Sequence, residues 1–273
     1  MPHFDGARGR VYYRHWRAAS PTGDSSRTGA PRATLVFLHG YGEHSGLYHR
    51  FANQLNARGI EVWALDQYGH GLSDGDRGRI EELGDAVDAA QRLVVRATRE
   101  HPETPVFLAG HSLGSVVAAL TALAGPGRFR GLIVSGSALS PLPWLDDADP
   151  APVELTLDAL SADEFYRDEL VNDPLAFTEG DLVALASRLF PPAWTVLAED
   201  LPGLDLPILA VHGADDPVAP LDLLQDWRDR LGDLRIEVFD GAAHDVLNEV
   251  AHREVAAVIG DFIDAESAAK AAA

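Results

Sequence analysis

A chain of 273 residues with 46% hydrophobic content is long enough for one large α/β domain with a sizeable core. Its 42 acidic against 22 basic residues give a formal charge of −20, which argues against nucleic acid and anionic membrane surfaces as partners. The absence of cysteine excludes disulfides and thiolate chemistry, and no apolar run approaches the roughly 20 residues that span a bilayer.

The opening residues Met1 to Asp5 lack the basic-then-apolar layout of a secretory signal, so the cytoplasm is the expected compartment. Arg10 to Arg17 alternates in polarity and reads as an antiparallel strand. Ser20 to Arg32 has the Ser/Thr/Gly/Pro content of a loop. Thr34 to Leu38 is a short apolar run of the buried-strand type, ending in His39-Gly40-Tyr41-Gly42. A helix over about Leu47 to Arg58 is closed by Gly59, and a second buried strand, Ile60 to Leu65, ends at Asp66. The Gly/His loop from Asp66 to Gly75 is expected to brace its surroundings. Asp85 to Glu100 carries Ala86, Ala89, Ala90, Leu93, Val94 and Ala97 at helical spacing.

Next comes the stretch that carries the chemistry. The run Pro105 to Ala109 enters, and the Ala-rich run Leu113 to Ala124 leaves, the pentapeptide Gly110-His111-Ser112-Leu113-Gly114. This fits Gly-x-Ser-x-Gly, in which a strand turns sharply into a helix and holds the serine at a strained φ/ψ. Side chains two residues either side would collide, so glycine stands at both places. The arrangement exposes the Ser112 hydroxyl as a nucleophile and points the Leu113 N–H towards a forming oxyanion. A second oxyanion donor is expected from a Gly-rich turn after an early strand, here the Tyr41 N–H.

Leu132 to Val134 is a further strand. From about Leu139 to Leu204 the chain turns rich in Pro, Asp and Leu, with short helical pieces and no strand of comparable quality. This stretch reads as a cap, 139–204, inserted into a core made of 1–138 and 205–273. Its apolar residues, Trp144, Phe165, Phe190 and Trp194 among them, are candidates to line an acyl-chain tunnel. Ile208 to Val211 resumes the buried-strand pattern. A helix (Pro220 to Leu231), a strand (Arg235 to Phe239) and a final helix (about His252 to Asp264) follow, with a frayed tail from Ala265. Strands alternating with helices predict an α/β fold with a mostly parallel sheet covered on both faces.

A nucleophilic serine needs a base, and the base needs an orienting carboxylate, in the chain order Ser, Asp or Glu, His. His244 follows the strand ending at Phe239 and is the expected base; His252, inside the last helix pattern, is expected to face solvent. Asp215 and Asp216 both follow the strand ending at His212-Gly213, and spacing alone leaves either as the acid. No HExxH, Cys pair or carboxylate cluster suggests a metal, and the Gly-rich loop that opens a helix holds Ser112, so neither metal nor cofactor is expected.

These segments together resemble the monoacylglycerol lipase and lysophospholipase-like branch of the α/β-hydrolase superfamily, of the serine aminopeptidase S33 type. The turn His39-Gly40-Tyr41-Gly42-Glu43-His44-Ser45-Gly46-Leu47-Tyr48 matches that branch's His-Gly-x-Gly-Glu-His-Ser-x-x-Tyr. The loop from Asp66, the pentapeptide at Gly110, Asn172-Asp173-Pro174-Leu175 and His244-Asp245-Val246-Leu247-Asn248-Glu249 match as well, over about residues 10 to 264.

The resemblance implies an α/β-hydrolase fold, a mostly parallel central sheet flanked by helices with an inserted cap. It implies Asp216 as the acid beside Ser112 and His244, Tyr41 and Leu113 as the oxyanion hole, and Glu43 near the alcohol end of the pocket. His111, Trp144, Phe165 and Trp194 complete the candidate substrate contacts. At Leu47, before the tyrosine, the branch often carries a basic residue paired with the glutamate. The expected activity is cofactor-free hydrolysis of carboxylic monoesters with an apolar part, monoacylglycerols first. The alternatives are other small monoesters such as monoalkyl phthalates, and a non-catalytic ligand-binding protein on the same scaffold. The partner is a small ester, with no stable membrane insertion.

Overall fold

The computed structural model describes residues 1–18, 30–145, 155–180 and 182–269. Most of the expected loop Ser20 to Arg32 and part of the 139–204 stretch lie outside the described residues. Eight strands form a sheet in the order β1-β2-β4-β3-β5-β6-β7-β8. The parallel strands are β3 (Ala33–Leu38), β4 (Ile60–Leu65), β5 (Val106–His111), β6 (Gly131–Ser135), β7 (Ile208–Gly213) and β8 (Leu234–Phe239). The first strands, β1 (His3–Gly6) and β2 (Gly9–Trp16), pair antiparallel, and β2 runs antiparallel to β4 at that edge.

Every residue of β3, β4, β5 and β6 is buried, as continuous apolar runs require in a sheet covered on both sides. One face packs on α2 (Leu83–Ala97) and α3 (Leu113–Ala124), through Ala90, Leu93, Val116 and Ala119. The other packs on α1 (His49–Ala57) and α8 (His252–Ala269), through Phe51, Leu55, Ile259 and Phe262. The last helix continues to Ala269, five residues past the expected end at Asp264, with Ser267 Oγ donating to the Ile263 carbonyl.

Between β6 and β7 the described residues form helices α4 (Leu157–Leu160), α5 (Glu164–Asn172) and α6 (Leu182–Asp200). The prolines of this stretch suggested short pieces only, yet α6 runs for 19 residues with Pro191 and Pro192 inside it. A proline inside a helix costs about 3 kcal/mol. Here Leu185, Ala186, Leu189, Phe190, Ala193, Trp194 and Leu197 bury one apolar stripe on the core. At about 1.5–3 kcal/mol for each large side chain, that burial outweighs the penalty. Helix α7 (Asp222–Arg228) is shorter at both ends than the expected Pro220 to Leu231.

The parallel strands bring their C-terminal ends to one edge of the sheet, where open α/β sheets place their sites. The turn after β3, the end of β5 and the loops after β7 and β8 all meet there.

Candidate active site

Ser112 has φ 50° and ψ −119°, the one positive-φ residue other than glycine among the described residues. Its backbone is held from both sides: its N–H donates to the Ser135 carbonyl at 2.9 Å, and its carbonyl accepts from Ser115 Oγ at 2.6 Å. A Cβ built on Gly110 would overlap the Gly114 carbonyl, and one on Gly114 the Leu38 carbonyl of β3. Glycine at both flanks is therefore a packing requirement of the turn.

His244 is 2% exposed, and its Nδ1–H donates to Asp216 Oδ2 at 2.8 Å. That bond fixes the tautomer and leaves Nε2 as the basic atom. The other oxygen, Asp216 Oδ1, accepts from the N–H groups of Val218 and Ala219 at 2.8 and 2.9 Å. Asp215, one residue earlier, is exposed. Burial pushes the Asp216 carboxyl up, but His244 at contact distance, with its hydrogen bond, outweighs this and holds it below its usual value. Burial likewise pulls His244 down, and the Asp216 charge outweighs it, so the imidazole stays protonated above its ordinary range. No Ser112–His244 hydrogen bond forms among the described residues, a common state for such pairs without substrate.

His212, at the end of β7, has no place in the sequence reading. Its buried Nε2 reaches the Ala219 carbonyl at 2.7 Å and Asp216 Oδ2 at 3.3 Å, a second imidazole on the same carboxylate.

The turn after β3 is braced by two histidines and two carboxyls. His39 Nδ1 donates to the Gly40 carbonyl at 2.7 Å, and its Nε2 accepts from the Gln67 N–H at 2.9 Å. Burial lowers His39 to about 3, so it works as a neutral ring. Glu43 Oε2 accepts the Gly40 N–H at 2.8 Å, next to Tyr41. His44 Nε2 donates to Asp173 Oδ2 at 2.9 Å, tying the turn to the segment after α5. Asp66 braces from below, its Oδ1 accepting from Ser45 N and its Oδ2 from Leu72 N, both at 2.8 Å.

One pocket gathers Ser112, His244, Tyr41, Leu113, Glu43, His111 and Trp144, with Leu142, Leu155, Leu160, Leu185 and Phe190 supplying an apolar side. Trp144 is anchored over the acid loop by its indole N–H on the Val218 carbonyl at 2.8 Å. Two expected contacts are elsewhere. Phe165 is 54% exposed, its ring beneath the Arg50 guanidinium and beside His49. Trp194 lies behind the wall, its indole N–H on the Ala138 carbonyl at 2.8 Å. Helical phase turns Phe165 away from the core while Tyr166, its neighbour, turns in. Leu47 is core, packed behind the turn and outside the pocket. His252 is half-buried at the start of α8, with Nδ1 on the Glu249 carbonyl at 2.8 Å.

Residues 29–251 match the family described as "Serine aminopeptidase, S33". The chain belongs to this family. A monoacylglycerol lipase of Mycolicibacterium smegmatis is 33% identical over 235 residues, covering 80% of this chain and 83% of the relative. Human monoglyceride lipase is 28% identical over 275 residues, 93% of this chain and 85% of its own. Among solved structures, a soluble variant of the Saccharomyces cerevisiae monoglyceride lipase superposes with a TM-score of 0.81 at 20% identity. It covers 97% of this chain and 94% of that one, which establishes the α/β-hydrolase fold. No helix among the described residues is long and apolar enough to cross a membrane.

Proposed function

We propose that this chain is a serine hydrolase of carboxylic monoesters, with monoacylglycerols as its first substrate class. The observation that carries the reading is that His244, bonded at 2.8 Å to the buried Asp216, lines one apolar pocket with a serine at φ 50°. His244 Nε2 takes the Ser112 proton, Ser112 Oγ attacks the ester carbonyl, and the N–H groups of Tyr41 and Leu113 receive the oxyanion. His244 returns the proton to the leaving alcohol, and water activated by the same imidazole clears the acyl-enzyme. Asp216 keeps the imidazole in its working tautomer. The substrate class is supported by the names of the relatives and by the apolar wall of Leu142, Leu160, Leu185 and Phe190, which suits an acyl chain. The helical segment between β6 and β7 serves as the cap that carries part of this wall.

The test compares hydrolysis of a medium-chain monoacylglycerol with that of a monoalkyl phthalate, alongside covalent labelling by a fluorophosphonate. Wild type should label at Ser112 and favour the glycerol ester. Ser112→Ala should label nowhere in the pocket and lose about 10³-fold or more in kcat. Preference for the phthalate would move the substrate class to aromatic monoesters. Full activity in Ser112→Ala would overturn the nucleophile.

A further inference from the structure

Glu43, at the pocket lining, and Asp245, behind it, are both buried. A carboxyl oxygen of each and a ring nitrogen of His111 lie within 4.8 Å of one another, and all three residues are buried. Donors converge on the two carboxyls. Glu43 Oε2 accepts from Gly40 N–H and from Tyr48 O–H at 2.6 Å, and Oε1 from Tyr166 O–H at 2.7 Å. Asp245 Oδ2 accepts from Asn248 Nδ2 at 2.9 Å. Asp245 Oδ1 is buried and takes no hydrogen bond among the described residues.

The groups facing the pair come from every surrounding element. Tyr48 precedes α1, Tyr166 belongs to α5, His111 ends β5, and His244 neighbours Asp245 in its own loop, with Asp216 behind it. Burial lowers His111 to about 4, so it is neutral at physiological pH. Among the described residues neither carboxyl has an arginine partner. Two ionised carboxylates this close, both buried and with no arginine beside them among the described residues, repel strongly enough that one retains its proton.

We propose that Glu43 and Asp245 share a single proton at neutral pH, and that this proton holds the oxyanion turn in its working charge state. Glu43 grips the Gly40 N–H directly beside Tyr41, whose own N–H faces the reacting centre in the reading above, on which the catalytic half of this inference rests. While the proton is present, the pair carries one negative charge. Its loss places a second charge next to the site where the oxyanion forms, opposing the transition state. Both residues are positioning groups acting through the turn. Burial pushes the Glu43 carboxyl up, the Asp245 charge pushes it further, and the tyrosine hydroxyls pull it back only in part, to about 8. The device is therefore a switch that shuts above neutral pH.

Two readouts test it. Infrared spectra of the resting protein, which need no turnover, should contain a carboxylic-acid carbonyl band at pH 6.5 that titrates away near pH 8. The band should be missing at pH 7 from Glu43→Gln, and in Asp245→Asn it should titrate away at lower pH than in wild type, because burial still raises Glu43 but the Asp245 charge no longer adds to it. In turnover, kcat/KM of the wild type should fall above pH 8, by about tenfold per pH unit. In either variant, whatever its plateau, the curve should stay level to high pH. A wild-type spectrum identical to that of Glu43→Gln would overturn the shared proton. A falling limb that persists unchanged in both variants would overturn its role in catalysis. A titrating band in a protein that hydrolyses no ester would overturn the ester reading and the switch together, while leaving the shared proton standing.

Discussion

Asp215 and Asp216 are neighbours in sequence and opposite in circumstance. One is exposed; the other is buried on His244 and receives two backbone N–H groups. Asp216→Asn keeps the shape and removes the charge, so the amide stabilises the wrong imidazole tautomer. A loss of about 10⁴-fold in kcat is expected, the size seen for such a change in serine proteases. Asp215→Asn, with no such contact, should stay within about twofold. Equal losses in the two would show that the acid is misassigned. The same pair sets the acid limb. As the proposed base His244 acts only when neutral, and the Asp216 charge, outweighing burial, raises its pKa above the ordinary value, so wild-type kcat/KM should fall as pH drops through that raised value. In Asp216→Asn burial acts without its main counterweight, and the residual activity should keep its level to lower pH. A limb that does not move would mean another group controls it. That Ser112 and His244 would meet in one pocket was legible because each follows a strand end in the required order, whereas singling out Asp216, the one that contacts His244, over Asp215 took a family likeness. Tyr166 and His212 were not legible. Tyr166 reaches Glu43 from 123 residues away, and no local pattern announces such a meeting.

At the scale of the element, the site depends on how closely α3 approaches the neighbouring strand β3. Gly114 sits in the first turn of α3, where a Cβ would run into the Leu38 carbonyl, backbone that cannot step aside. Gly114→Ala should cost about 1–3 kcal/mol in stability, the range for overfilling a packed interior. Gly84, in the first turn of α2, has open space where a Cβ would go. Gly84→Ala should stabilise by about 0.4–1 kcal/mol through the unfolded chain alone. Urea denaturation of the two variants separates the readings; a neutral Gly114→Ala would mean that helix and strand have room to part. The parallel strands were readable because burial on both faces leaves an apolar run with little else in it. The first strand, His3 to Gly6, has no such run: its burial is partial, and its pairing with β2 is what makes it a strand. Helix α6 was underestimated for the opposite reason, since its prolines are local and conspicuous while the core it covers is not.

A few carboxyls are buried, Glu43, Asp66, Asp216 and Asp245 among them, but most of the molecule's acidity lies outside the core. Even if each of the 22 basic residues paired with an acid, 20 of the 42 acidic residues would be left without a cation. Several of the pairs that do form are exposed, such as Arg17–Glu100, Arg79–Glu81 and Arg92–Asp88, and pairs of that kind contribute little. Salt therefore acts in two directions. It weakens those exposed bridges, and it screens the repulsion among the unpaired carboxylates once the Debye length falls to about 8 Å at 0.15 M. Self-repulsion outnumbers attraction, so screening should stabilise the folded state. Raising sodium chloride from low to physiological concentration at fixed pH should increase Tm by about 2–6 °C, equivalent to roughly 1–2 kcal/mol for a chain of this size. The buried Asp216–His244 pair is shielded from the ions and should not take part, so the gain should be the same in Asp216→Asn. A Tm that falls with salt would mean that attractive pairs, and not the acidic excess, dominate the surface energy.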